Sequence, residues 1–195
     1  SALYTHHPQL LHAHLVGAFA LLGEHEAVAR LVPALYAFAT LVLLTLLVRR
    51  HWGLPTAAVA AVLWALTPIN SLYANMVGHE QGGLFWTLAL VGAALAWHEH
   101  RRTRALVGVL VAATFAMQFD WPGYYVCSFL AVHAVVQAFA RGPRWRWQPE
   151  HTFVLAVTLT VIANAAAFAG WIVAVRGGLG DMHGAYTQRA TAPEG

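Results

Sequence analysis

Six uncharged apolar blocks follow one another along the chain, at residues 31–48, 53–78, 81–97, 105–119, 121–140 and 152–175, with short polar breaks between them. A bilayer core of roughly 30 Å is crossed by about 20 apolar residues in a helix. The blocks are therefore read as six transmembrane helices, the fourth of them short. Gly53-Leu54-Pro55 and Gly82-Gly83 open the second and third, at positions where a helix can begin. Residues 8–22 are apolar but short, and His12 and His14 interrupt them. This stretch is read as an interfacial helix lying along the membrane surface. The predicted fold is all-α, a polytopic transmembrane helix bundle of six spans plus one interfacial helix. No internal repeat is visible.

The breaks alternate in charge. One set holds Arg49 and Arg50, then Arg101, Arg102 and Arg104, then Arg141, Arg144 and Arg146, with only Glu99 and Glu150 among them. The other set holds Arg30, Arg176 and Arg189 with Glu24, Glu26, Glu80, Asp120, Asp181 and Glu194. We call these the arginine side and the acidic side. Eight arginines against three make the arginine side cytoplasmic by the positive-inside rule. The acidic side, with both ends of the chain, is then periplasmic, as in a bacterial inner membrane. Ser1 would lie outside with nothing upstream to carry it there, so the sequence is read as a fragment that follows an upstream span. Residues 1–175 form the predicted membrane module, and 176–195 a periplasmic loop or the start of a further segment.

Composition sharpens this picture. The 195 residues are 59% hydrophobic and 10% charged, against about 25% charged in ordinary soluble domains. The mean hydropathy is +0.57 and the sequence pI about 9.4. A high pI raises the question of nucleic acid. Here the basic residues are all arginine and sit between apolar blocks, so nucleic acid is excluded as a partner, together with soluble-enzyme and disordered classes. The sequence fixes no oligomeric state. Cys127 is the single cysteine, and a disulfide framework is excluded.

Ionisable groups next to hydrocarbon are costly and tend to be functional. On the acidic side they are His6 and His7, Glu24 to Glu26, Arg30, the pair His79-Glu80, and Asp120 in the break Asp120-Trp121-Pro122-Gly123. Each also has a plain reading: His6 and His7 as an exposed loop, Glu80 as a loop carboxylate at the water surface, Asp120 as a helix N-cap. Arg30 opposes the dipole at a helix start, and Glu24 or Glu26 would relieve it. On the arginine side His98-Glu99-His100 is read as an interfacial cluster, since residues two apart do not share a helix face. His133 alone lies at membrane depth, so bis-histidine haem binding, which needs facing pairs, is set aside. Midplane polar groups and inverted repeats would mark a transporter or channel; that alternative is kept, although the polar groups gather at one face.

The order of these features resembles the GT-C class of polytopic glycosyltransferases. The closest group is family 39, the dolichyl-phosphate-mannose–protein mannosyltransferases and their aminoarabinose-transferase relatives. The likeness covers residues 4–140. It is carried by His6-His7-Pro8, by Gly23 through Arg30-Leu31-Val32-Pro33, by Arg49-Arg50-His51-Trp52-Gly53 at a span end, and by Glu80 after the next span. Gln9 stands where the family pattern has a second proline. The resemblance implies transfer of a sugar from a polyprenyl-phosphate donor to a lipid, glycan or protein acceptor. It implies Glu80 and Asp120 as catalytic residues, and His6, His7 and Arg30 as ligands of the lipid-borne phosphate. His6 and Glu80 become candidates for a divalent metal, with no other cofactor implied. The membrane lipid and the polyprenyl-phosphate donor are the implied partners. In the family a further catalytic Asp precedes the His-Pro motif, so residues 1–195 alone are expected to be inactive. Asp120-Trp121-Pro122-Gly123 departs from the family, which has a Thr-Lys pair in a broken helix there.

Overall fold

The computed structural model describes residues 10–140 and 149–174. Its helices are α1 (Leu10–Leu22), α2 (Glu26–Leu66), α3 (Pro68–Asn75), α4 (Glu80–His100), α5 (Thr103–Phe119), α6 (Pro122–Ala140) and α7 (Pro149–Ala174). The described residues are all-α, as the apolar blocks predict. His6, His7 and the segment 176–195 lie outside them.

α2 is not one rod. A straight helix of 41 residues would run about 60 Å. Yet Nη1 of Arg30, near its start, donates to the carbonyl of Asn75 at 3.2 Å. The chain doubles back at Gly53, whose φ of 84° and ψ of 173° lie outside the helical region and suit a residue without a Cβ. The predicted second span, 53–78, is broken again. Thr67, held extended before Pro68, ends α2, as residues before proline tend to do. The Trp64 carbonyl, in the last turn, accepts both the Thr67 N–H at 3.3 Å and the Asn70 side-chain amide at 3.0 Å. So a limb of α2 and the eight-residue α3 stand where one continuous span is expected.

Contacts between distant parts of the chain sort into two ends. Arg30 with Asn75, His79 with Asp120 at 3.7 Å, and Trp121 with Phe168 mark one. Arg50 with Glu99, Arg101 with Glu150 at 2.6 Å, and His98 with His133 mark the other. The ion pairs among them, His79–Asp120, Arg50–Glu99 and Arg101–Glu150, each join residues that the charge alternation puts on the same side. From Arg30 to Phe168 the chain thus passes between the two ends six times. Only three described helices, α2, α6 and α7, are by length and composition apolar enough to cross a membrane. The six-span count therefore holds as passes of the bundle, not as six independently membrane-competent helices.

The reason lies in the core. α4 and α5 form an inner hairpin whose buried Leu90, Ala94, Val109, Ala112, Ala113 and Met117 pack with Cys127 and Ala134 of α6 and Phe153 and Val157 of α7. Alanines let helix backbones approach closely, which is how helices associate in lipid. The outer helices instead expose Leu46, Leu63, Phe129, Phe139 and Ile162, an apolar surface suited to acyl chains. α5 has 17 residues and α4 carries Gln81 and His98 near its ends. Helices shielded by neighbours need less hydropathy than those that meet lipid.

α1 docks on this bundle. His14, expected as an interruption of a surface helix, turns inward against Phe119 and Tyr36. Its Nδ1 lies 2.7 Å from the Leu10 carbonyl, which can only accept, so Nδ1 carries the hydrogen. Nε2 then accepts from the Tyr36 hydroxyl at 3.2 Å. His12 is exposed.

Candidate functional site

Close approach of three helices builds the acidic end. A Cβ on Gly82 would run into the Phe119 ring, and one on Gly83 would lie 3.1 Å from Cβ of Asp120. A Cβ on Gly123 would sit 2.5 Å from the backbone of Ala116. Glycine at these places lets the start of α4, the end of α5 and the start of α6 meet around Asp120.

Asp120 caps α5, its N–H donating to the Ala116 carbonyl at 3.1 Å. Its carboxylate Oδ1 accepts the Trp121 N–H at 2.8 Å, and its carbonyl accepts the Gly123 N–H at 3.3 Å. Where an N-cap of the following helix is the plain expectation, Asp120 is the C-cap of α5, with its carboxylate bonded to the Trp121 N–H in the link to α6. Nε2 of His79 stands 3.7 Å from Oδ1, and both side chains are largely covered, at 22% and 16% exposed. That spacing is an ion-pair distance, longer than a direct hydrogen bond. His79 precedes α4, and its carbonyl accepts the Gly83 N–H at 2.9 Å.

Glu80 opens α4, where its negative charge suits the positive end of the helix dipole. Its carboxylate folds over Gly78, into space that any side chain there would fill. Gln81 follows, 2% exposed, with Nε2 donating to the Asn70 carbonyl at 3.3 Å. Arg30 pairs with Glu26 through Nε at 2.9 Å and Nη2 at 2.5 Å. Glu26 is thus the acid that relieves Arg30, and Glu24 is not needed for it. Just below this end, Gln118 donates to Asn164 at 3.0 Å and ties α5 to α7.

Three of the five residues singled out from the sequence, Arg30, Glu80 and Asp120, therefore lie at one end of the bundle. His6 and His7 lie outside the described residues. Sequence reasoning named His79 beside Glu80 without giving it a role, and missed Gln81. The signal for His79 was available: it and Asp120 occupy two breaks that the alternation puts on one side. No such signal marks Gln81, which the fold buries and bonds to the Asn70 carbonyl of α3. Among the described residues no group of three or more His, Cys, Asp or Glu is placed to hold a metal ion. His6, the other candidate ligand beside Glu80, lies outside the described residues, and no step is derived through a metal.

Neither a curated protein nor a solved structure matches the chain. A family model does: the one described as dolichyl-phosphate-mannose-protein mannosyltransferase aligns with residues 6–171. That match covers most of the bundle, both ends included, and the chain belongs to this family of membrane glycosyltransferases.

Proposed function

We propose that the acidic end is where a sugar leaves a polyprenyl-phosphate donor for a hydroxyl acceptor on a lipid, glycan or protein, and that this end faces the periplasm of a bacterial inner membrane. The observation that carries the reading is the gathering of Glu80 and Asp120 at one end while Arg50 and Arg101 are tied to acids at the other. Family membership supports the glycosyl-transfer chemistry and does not favour the transporter or channel alternative.

In this reaction the acceptor oxygen attacks the anomeric carbon. The bond from that carbon to the phosphate oxygen breaks, and the polyprenyl phosphate departs with the electron pair. Glu80 takes the acceptor proton, and Asp120 fixes the corner in which it does so. Arg30, with His6 and His7, meets the phosphate charge. A positioned general base contributes about 10² to 10⁴ in rate, so Glu80→Gln in the complete protein is expected to lose about that much transfer from dolichyl-phosphate mannose while inserting normally. Wild-type turnover by a well-inserted Glu80→Gln protein would reduce Glu80 to a loop residue. The side is tested by cysteines at 51 and 79 in a Cys127→Ala background. Position 79 should label from the periplasm and position 51 only after permeabilisation; the opposite pattern would put the site on the wrong face.

A further inference from the structure

We propose that Gln81 recognises a hydroxyl of the transferred sugar, and so helps to set which sugar the protein accepts. The inference rests on the glycosyl-transfer reading and deepens it.

Gln81 is almost wholly buried, in the first turn of α4. Its amide nitrogen donates to the Asn70 carbonyl. That bond settles which way the amide faces, because the flipped amide would set oxygen against oxygen. Oε1 is then directed away from Asn70, and it has no hydrogen-bond partner. Buried acceptors without a donor are rare in native proteins and call for an explanation. A strut between α3 and α4 would account for the nitrogen. It leaves the oxygen unexplained.

The neighbours narrow the ligand. Glu80 precedes Gln81, and Asp120 lies against Gly83 two positions on. Both carboxylates accept hydrogen bonds, as Oε1 does. Apart from His79, which faces Asp120 at 3.7 Å, these side-chain groups are acceptors, and two carboxylates disfavour a phosphate and suit a group rich in donors. A sugar ring, with several hydroxyls, is that group among the parts of a polyprenyl-phosphate sugar. The ring therefore lies against the first turn of α4, with the phosphate further out toward Arg30. α3, an eight-residue helix set off by Thr67 before it and Met76 after it, borders the position through the Asn70 carbonyl, and the sugar reaches Oε1 between α3 and the start of α4.

The test pairs side-chain changes with changes in the sugar. The complete protein in proteoliposomes is supplied with dolichyl-phosphate mannose or with its monodeoxy derivatives. Gln81→Met keeps length and removes both polar atoms. Gln81→Glu keeps an acceptor and gives up the donor to Asn70. Losing one hydrogen bond to a buried acceptor lowers kcat/KM about 10- to 100-fold. Wild type is expected to lose that much with one derivative, Gln81→Met to use that derivative and the parent sugar alike, and Gln81→Glu to keep the wild-type preference. Equal use of all derivatives by wild type overturns the inference. So does a Gln81→Met protein that slows every sugar by one common factor, which is how a strut behaves. Should Gln81→Met fail to insert, Gln81→Glu decides alone: loss of the preference refutes the assignment. A wild-type protein that transfers no sugar from any polyprenyl phosphate overturns the glycosyl-transfer reading and this one with it. Transfer with an unchanged preference in Gln81→Met overturns only this one.

Discussion

At the arginine end Arg101 bridges two helices: its guanidinium lies 4.3 Å over the Trp97 ring and bonds Glu150, which is wholly buried. Arg101 itself takes the left-handed conformation, φ 51° and ψ 28°, that turns α4 into α5. Arg50 ties α2 to the same end of α4 through Glu99. At the acidic end the corresponding junctions are closed by glycines: Gly82 on Phe119, Gly83 on Asp120, Gly123 on the α5 backbone. There the polar groups reach backbone carbonyls, Arg30 to Asn75 and Gln81 to Asn70. One end is joined by ion pairs that bridge helices, although Arg101 Nη1 there is buried without a hydrogen-bond partner. The other is closed by omitting side chains, and it keeps an acceptor without a donor. The difference lies in what the charged pairs join: Arg50–Glu99 and Arg101–Glu150 bridge helices at the first end, whereas Arg30–Glu26 stays within one helix at the second.

The largest expected effect lies at the closed end. Arg101→Met strips a buried carboxylate of its ion pair, a change that costs about 3 to 5 kcal/mol. Unfolding in detergent micelles should show that loss, and Arg101→Met with Glu150→Gln together should recover part of it, because the second change removes the buried charge. A neutral Arg101→Met would mean that the arginine end is held by apolar packing, and the contrast between the ends would fail.

The acidic end should break by bulk instead. Gly123→Ala drives a methyl group into the backbone of Ala116 and Met117, and Gly82→Ala into a buried ring. Overpacking of this kind costs about 1 to 3 kcal/mol. Gly170, also helical, has nothing within 4 Å of an added Cβ. Gly170→Ala is expected to be neutral or to stabilise by up to about 1 kcal/mol through helix propensity. Thermal unfolding of the three proteins side by side is the measurement. Equal behaviour of positions 123 and 170 would show that the glycines are not what brings the helices together.

These contacts also mark how far the sequence could be read. The two ends were legible because charge in a membrane protein sorts by side, and each long-range ion pair respects that sorting. The inner place of α4 and α5 was not, since Ala112, Ala113 and Ala116 read the same in lipid and in a helix interface. The break at Gly53 was visible as a helix start. That at Thr67-Pro68 was passed over inside an uncharged run, because hydropathy averages across a proline. Of the site, Asp120 and Glu80 stood out as carboxylates beside apolar blocks. Gln81 is neutral, and only the fold shows that its oxygen is buried without a donor.

The smallest effects concern ion pairs that look alike at the two ends. Arg50–Glu99 has side chains 47% and 38% exposed, and Arg30–Glu26 53% and 74%. Exposed pairs contribute about 0.2 to 1 kcal/mol and fade with salt. A double-mutant cycle on unfolding should find coupling in that range for Arg50–Glu99, and about 0.3 to 0.5 kcal/mol for Arg30–Glu26, whose partners are four apart on one helix. Arg30→Gln should then unfold within about 0.5 kcal/mol of wild type. That small number is what makes the residue informative. If transfer falls in a protein as stable as wild type, the loss belongs to the phosphate that Arg30 is assigned, since neither Glu26 nor the Asn75 carbonyl contributes enough to explain it. If Arg30→Gln instead costs more than about 2 kcal/mol, beyond what exposed pairs supply, the bond to the Asn75 carbonyl is what matters and Arg30 holds α3 in place as Arg101 holds α7. The two ends would then be closed by the same device, and the acidic end would lose its claim to a cation for the donor.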